Sequence, residues 1–362
     1  MKVALLGDQI DNNIRQGQMS YAYNLIKGLQ KLGVDMTLLY GDIPSKSNYP
    51  FLKKASYRIF HLPFINSTIK DILLNIAASR YDILHVLTNS GLPYGRSKAK
   101  KIVTIHDVII FRHPEYYTEY TLSYLIKDIR KSVKYADAII TISEHSKKDI
   151  CDVFGCEADK IHVTHLGIDR NIFYKQKGSR FIPDNYILYV GGPHRRKGLS
   201  YLLEAFGLIK KSVKHNLVLV DNVGSKYEEY KNDIIRHGLT DRIIIKPCAS
   251  VKELVNYYSF AEVLIYPSLY EGFGLPPLEA MACECPVISS NNSALKEVYE
   301  GVAMLTEPKE IISLANTILK VISDNKIKNT MIEKGLALSM KMSLERLAQT
   351  TLETYKKILS PK

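Results

Sequence analysis

The stretch PSLYEGFGLPPLEAMACECP, residues 267–286, decides how the rest of the chain is read. It follows an apolar run, residues 261–266, that has the length and character of a buried strand. Glu271 opens a short glycine-bearing loop, Pro276 and Pro277 mark a helix start, and Glu279 is expected in that helix's first turn. Two carboxylates therefore stand eight positions apart, one on a loop and one near a helix N-terminus. Gly272 and Gly274 have no Cβ, so the backbone can approach a ligand closely and aim N–H groups at anionic oxygens. A carboxylate accepts hydrogen bonds from a vicinal diol as a fork, which is how an acidic residue reads a ribose. Such a loop suits a phosphorylated, hydroxyl-rich molecule, and a nucleotide sugar carries ribose, diphosphate and sugar hydroxyls together. Acids in a first turn also simply complement the helix dipole, and Glu279 taken alone fits that role equally.

EGFGLPPLE, with Glu271 and Glu279 as the paired acids, resembles the signature of the retaining, family-four glycosyltransferases of GT-B fold. The resemblance implies an α/β architecture of two doubly wound, Rossmann-like domains facing a cleft, with a C-terminal helix crossing back to the first domain. It also implies that Glu271 and the backbone of Gly272, Phe273, Gly274 and Leu275 hold the donor sugar, while Glu279 holds the ribose. The expected layout is an acceptor-side domain over 1–175, a nucleotide-sugar-binding domain over 176–342, and the returning helix over 343–362.

The bulk numbers agree with two domains, since 362 residues are enough for two separate cores. No apolar run approaches the roughly 18–20 residues of a membrane span. The first seven residues lead straight into a strand rather than a signal peptide, so a cytoplasmic protein is expected. Five cysteines without zinc-ribbon spacing are expected to be reduced and structural. The net charge of +12 is uneven: residues 1–180 hold 26 Lys and Arg against 17 Asp and Glu, a net of +9. That basic half, with clusters at Lys53, Lys54 and at Lys98, Lys100, Lys101, suits an anionic membrane surface or a phosphorylated acceptor, and equally a solvated face. No nucleic-acid motif accompanies it.

Along the chain, strands and helices alternate as in nucleotide-binding α/β units. The segment Gly17-Gln18-Met19-Ser20-Tyr21 resembles the family's Gly-Gly loop ahead of the first helix, near donor phosphate and acceptor, with Gln18 and Ser20 where glycines are usual. A helix over 67–78 carries Ile69, Ile72, Leu73 and Ile76 on one face, expected to pack on the sheet, with a membrane contact as the alternative. His106 and Asp107 follow a strand directly, where ligands collect in α/β sheets. They match the family's His-Asp motif, which implies that His106 bonds a donor-sugar hydroxyl or lines the reaction centre while Asp107 orients its loop. A strand-end histidine tying down a turn is the plainer alternative. The aromatic-rich run 111–124, with Arg112, His113 and Tyr116, is a candidate acceptor wall. Ser143 reads as a helix N-cap, and 171–184 as the interdomain linker.

The second half opens with a strand over 186–190, then Gly191-Gly192 and His194-Arg195-Arg196-Lys197-Gly198. Cations at a sheet's carboxyl edge are placed to neutralise a diphosphate, and Arg196 and Lys197 match the family's Arg-Lys pair for that group. Gly192, beside them, is counted with the donor site. Cys248 and Ala249 lie on the strand exit whose backbone contacts the donor base in the family. Glu284 stands where glycine is usual, so it must tolerate the turn or shift the helix end. Residues 343–348 resemble the family's last helix.

The reading drawn from all this is a metal-independent, cofactor-free hexosyltransferase in polysaccharide or glycoconjugate biosynthesis. Its donor would be GDP-mannose or a UDP-hexose, a substrate rather than a cofactor, and its acceptor a glycan or lipid-linked glycan at the inner face of a membrane. His106, Glu271, Arg196 and Lys197 would carry the chemistry. The competing readings are a nucleotide-sugar epimerase or isomerase on the same scaffold and a non-catalytic partner subunit.

Overall fold

A computed structural model describes residues 1–7, 17–40, 53–54, 67–192, 194–221, 227–247 and 250–360. Contacts divide the chain into two compact units, the first comprising Met1–Gly167 and Leu344–Lys362 and the second Ile168–Ser343.

The first unit is built on β1 (Lys2–Leu6), α1 (Gly17–Lys31), β2 (Asp35–Tyr40), β3 (Lys53–Lys54), α2 (Ser67–Ala78), β4 (Ile83–Val86), β5 (Lys100–Thr104), α3 (Ile109–Arg112), α4 (Glu119–Tyr135), β6 (Ala138–Thr141), α5 (Glu144–Phe154) and β7 (Ile161–Val163). Every described strand pair is parallel, in the order β3-β2-β1-β4-β5-β6-β7. Parallel strands covered on both faces read as unbroken apolar runs, as β4 and β6 do with every residue buried. Thr118 and Ser143 cap α4 and α5 by accepting the N–H groups of Thr121 and Ser146.

The second unit contains β8 (Tyr186–Val190), α6 (Leu199–Ile209), β9 (Asn216–Asp221), α7 (Tyr227–Arg236), β10 (Ile243–Pro247), α8 (Val251–Phe260), β11 (Val263–Tyr266), α9 (Leu275–Ala282), β12 (Val287–Ser290), α10 (Ser293–Tyr299), β13 (Met304–Thr306), α11 (Ile311–Ser323) and α12 (Asn325–Lys341). Its sheet is also parallel, ordered β10-β9-β8-β11-β12-β13. Strand order reverses between β8 and β11, the switch point beside which α/β sheets leave a crevice at their carboxyl ends. The loops leaving these two strands carry Arg196 and Lys197, and Glu271.

The last helix, α13 (Leu344–Leu359), belongs to the first unit and crosses α1 at Gly28. A Cβ there would stand 2.6 Å from that of Ala348 and 2.7 Å from the Leu344 carbonyl oxygen, so only glycine admits the approach. Lys31 pairs with Glu345 at 2.7 Å, and Tyr355 meets His85 at 2.6 Å in the core.

Four expectations are corrected here. The first unit ends at Gly167, ahead of the boundary expected at 175, because the segment read as a linker is tied to the second unit. Lys175 Nζ donates to the Ser259 carbonyl, the Gln176 N–H to Ser259 Oγ, and the Phe181 N–H to Asn256 Oδ1. On α2 the sheet takes the slimmer stripe of Leu74, Ala77 and Ala78, which permits closer packing, and Ile69, Ile72 and Ile76 point outward. Lys101 is not part of a surface cluster, since it is buried with its ammonium donating to the carbonyls of Pro93 and Gly95. Glu279 is the fifth residue of α9 rather than part of its first turn, because Gly274 caps the helix at φ +92° and both prolines fall inside it.

Candidate active site

Two loops from the switch point of the second unit are joined through their backbones. The Leu269 N–H donates to the Arg196 carbonyl at 2.7 Å. Gly198 adopts φ +70° directly against Pro267, where an added Cβ would lie 2.0 Å from the Pro267 carbonyl oxygen. Glycine is therefore required on two grounds, backbone conformation and space.

That junction brings the charged residues together. Glu271 Oε1 receives Lys197 Nζ at 2.5 Å, Arg196 Nη1 at 3.0 Å and the Tyr266 hydroxyl at 3.0 Å. Lys197 also donates to the Tyr266 oxygen at 3.0 Å and lies over that ring. Arg196 reaches the Tyr270 carbonyl at 3.3 Å. Burial would raise the pKa of Glu271, but the charges of Lys197 and Arg196 outweigh it and hold the carboxyl down at about 2. Burial and the neighbouring carboxylate push the Tyr266 phenol well above its ordinary value, so it stays a neutral donor. The result is an ionised carboxylate gripped on one oxygen by two cations and a phenol, at the carboxyl edge of the sheet.

Glu279 lies on α9, with Oε2 accepting the Tyr258 hydroxyl at 2.9 Å. The intervening loop is held by Gly274, whose added Cβ would stand 2.6 Å from Leu295 Cδ2 and whose carbonyl accepts the Tyr299 hydroxyl. Phe273 and Leu275 are buried. Gly192 follows β8, with its carbonyl accepting the His194 N–H at 2.7 Å. Cys248 and Ala249 lie outside the described residues.

In the first unit His106 follows β5. Its N–H donates to Asn89 Oδ1 at 2.7 Å, and Nε2 lies 3.0 Å from the Leu87 carbonyl. A carbonyl only accepts, so Nε2 carries the proton and Nδ1 is the ring's acceptor. Burial lowers the pKa to about 4, although the Leu87 bond works the other way, and the ring is neutral at pH 7. Tyr21 meets it edge-on with centroids 4.8 Å apart. Asp107 Oδ1 accepts the Ile109 N–H at 3.1 Å, a local turn contact. Arg112 is turned to α5, pairing with Asp149 and Asp152 at 2.8 Å each. His113 meets Glu115 at 3.0 Å and stacks on Tyr116. Gly17 opens α1, and among the described residues nothing lies within 4 Å of a Cβ placed on it. Gln18 and Ser20 lie in that helix's first turn rather than in a loop.

Family models match nearly end to end: one described as Glycosyltransferase Family 4 over residues 15–171, and one described as Glycosyl transferases group 1 over residues 172–337. The chain belongs to the group 1 glycosyltransferases. Among the curated relatives of this glycosyltransferase, the O-antigen chain mannosyltransferase B of Escherichia coli is 28% identical over 76% of the chain and 74% of its own length. The O-antigen chain mannosyltransferase RfbU of Salmonella typhimurium is 26% identical over 81% and 84%. Sucrose-phosphate synthase from Thermosynechococcus elongatus superposes with a TM-score of 0.77 at 21% identity, over 99% of both chains. That likeness places the glycosyltransferase in the GT-B fold.

The sequence reading missed Tyr266, Tyr258, Asn89 and Ser293, all of which bond a candidate site residue. Tyr266 and Tyr258 read as ordinary apolar members of a strand and a helix. Asn89, just past β4 at the sheet's carboxyl edge, was the one with a positional signal. Among the described residues no group of three His, Cys, Asp or Glu side chains is placed to hold a metal ion.

Proposed function

We propose that this glycosyltransferase moves a hexose, with retention, from a nucleotide sugar to a glycan or lipid-linked glycan in cell-surface polysaccharide synthesis. The observation that carries the donor half is the Glu271–Lys197–Arg196 cluster at the switch point, with Glu279 on the helix that follows. Glu271 takes the donor sugar hydroxyls and Glu279 the ribose. Arg196 and Lys197 meet the charge that develops on the diphosphate as the anomeric bond breaks, so no metal ion is required. His106 offers Nδ1 to a sugar hydroxyl. The acceptor oxygen bonds to the anomeric carbon on the face the phosphate leaves, and its proton passes to the departing phosphate oxygen. The mannosyltransferase names of the relatives favour GDP-mannose over a UDP-hexose.

Peripheral binding at the inner face of a membrane is part of the reading. The outer crest of α2 exposes Ile69, Ile72 and Ile76 at 50–61%, and that of α4 exposes Tyr120 at 85% and Tyr124 at 66%, in line with Lys127 and Lys134. Lys131 on α4 ties the two helices together through Asp71 on α2 at 2.6 Å. Apolar and tyrosine crests set among lysines suit an anionic bilayer surface. Among the described residues no helix is long and apolar enough to cross a membrane. Co-sedimentation with phosphatidylglycerol vesicles, lost in Ile72→Ser/Ile76→Ser, tests this; equal recovery of both proteins rejects it.

Thermal shift against UDP, GDP, ADP and their sugars tests the donor site, because a selective ligand raises the melting temperature. A shift with GDP and GDP-mannose is expected. No shift with any nucleotide moves the weight to a non-catalytic partner.

A further inference from the structure

Three consecutive residues after β12 grip the loop that carries Glu271. Asn292 Nδ2 donates to the Ser268 carbonyl at 3.2 Å. Ser293 Oγ accepts the Glu271 N–H at 3.1 Å and gives its own proton to Asn292 Oδ1 at 3.0 Å. The Ala294 N–H reaches the Glu271 carbonyl at 3.4 Å. The carboxylate of Glu271 is thus held from the β8 side, by Lys197 and Arg196, and its main chain from the β12 side.

Ser293 makes its contact from φ +46°, in the left-handed region that glycine occupies freely and other L residues rarely adopt. Strain of this kind persists only where the surroundings over-determine it, and it concentrates at functional sites. A glycine at 293 would relieve the backbone and sacrifice only the hydroxyl.

We propose that Ser293 is a positioning residue. Its hydroxyl sets the Glu271 peptide so that the carboxylate faces the donor sugar, and the strained backbone is kept for the sake of that hydroxyl. The proposal rests on the reading of Glu271 as the donor-sugar holder.

The test compares wild type, Ser293→Ala, Ser293→Gly and Glu271→Gln. Four quantities are read: melting temperature, amide exchange at Glu271, thermal shift with UDP and GDP, and nucleotide release from GDP-mannose and UDP-glucose. Ser293→Gly is expected to melt at or above wild type and Ser293→Ala below it. Both should exchange the Glu271 amide about tenfold faster and lose about tenfold in kcat, with the nucleotide shifts unchanged. Turnover that follows melting temperature, or Ser293→Gly with wild-type turnover, overturns the proposal by making residue 293 a turn residue only. Wild-type turnover in Glu271→Gln instead removes the reading beneath it. Unchanged amide exchange in both Ser293 variants overturns the grip itself, and does so even where neither nucleotide sugar is turned over.

Discussion

Lys197 Nζ and Glu271 Oε1 stand 2.5 Å apart across 74 positions of sequence. The contact follows from the switch point, which sets the exits of β8 and β11 side by side, and from the Leu269 to Arg196 backbone bond that joins them. Glu271→Gln keeps the shape and removes the charge that two largely buried cations face. Turnover should fall by roughly 100-fold, and stability by about 2 kcal/mol as Lys197 and Arg196 lose their partner. Turnover near the wild-type level would remove Glu271 from the chemistry.

Gly198→Ala attacks the same junction without touching a charge. Its Cβ would lie 2.0 Å from the Pro267 oxygen at a φ of +70°, and nothing but a shift of the backbone can accommodate it. A loss of about 3 kcal/mol is expected in urea denaturation, together with loss of any nucleotide-induced thermal shift. An unchanged midpoint would show that the two loops are not locked here.

Glu284 offers the opposite case. It ends the turn after α9 at φ +59°, so the chain tolerates the residue rather than moving the helix end. Glu284→Gly relieves the left-handed penalty and gives back part of it as unfolded-chain entropy, for a net gain of roughly 0.5–1 kcal/mol. Turnover should not change. A lower melting temperature would mean that the Glu284 side chain holds something the backbone conformation does not reveal.

Acid should weaken the first unit well above the pH at which its carboxylates protonate. Burial lowers His106 to about 4 and His85 to about 3, from an ordinary 6.5. The unfolded chain therefore binds more protons in that window. The stability these residues contribute is complete above pH 6.5 and is lost as pH falls through their folded values. Glu271, held at about 2, adds its own loss only below about 4.5. Melting curves from pH 7 to 4 should show a decline that is shallower in His106→Asn. Superimposable profiles would mean that His106 binds its proton equally well in the folded and unfolded chain.

Much of the candidate cluster in the second unit was legible because its residue types sit at strand exits: Glu271, Arg196 and Lys197 occupy such positions and Glu279 the helix just beyond, as His106 does at a strand exit of the first unit. What the sequence did not disclose was set by conformation and by packing. Serine carries no mark of a left-handed backbone, so Ser293 was invisible. On α2, periodicity revealed an apolar stripe but not which stripe the sheet would take, and the slimmer Leu74, Ala77, Ala78 face packed inward. Arg112 was read as a ligand-facing cation because its partners Asp149 and Asp152 lie a helix away. Tyr266 was read as strand filler because its hydroxyl has a role only once Lys197 arrives from the neighbouring loop.

The seating of α13 on α1 has a consequence for the order of folding. Residues 168–343 form the second unit without help from the tail, whereas the first unit takes in residues 344–362. A ribosome therefore completes the second unit's chain while the first still lacks its final helix. The first unit is thus finished after the second, and a nascent chain stalled near residue 343 would hold the whole second unit while the Gly28 groove on α1 stays open.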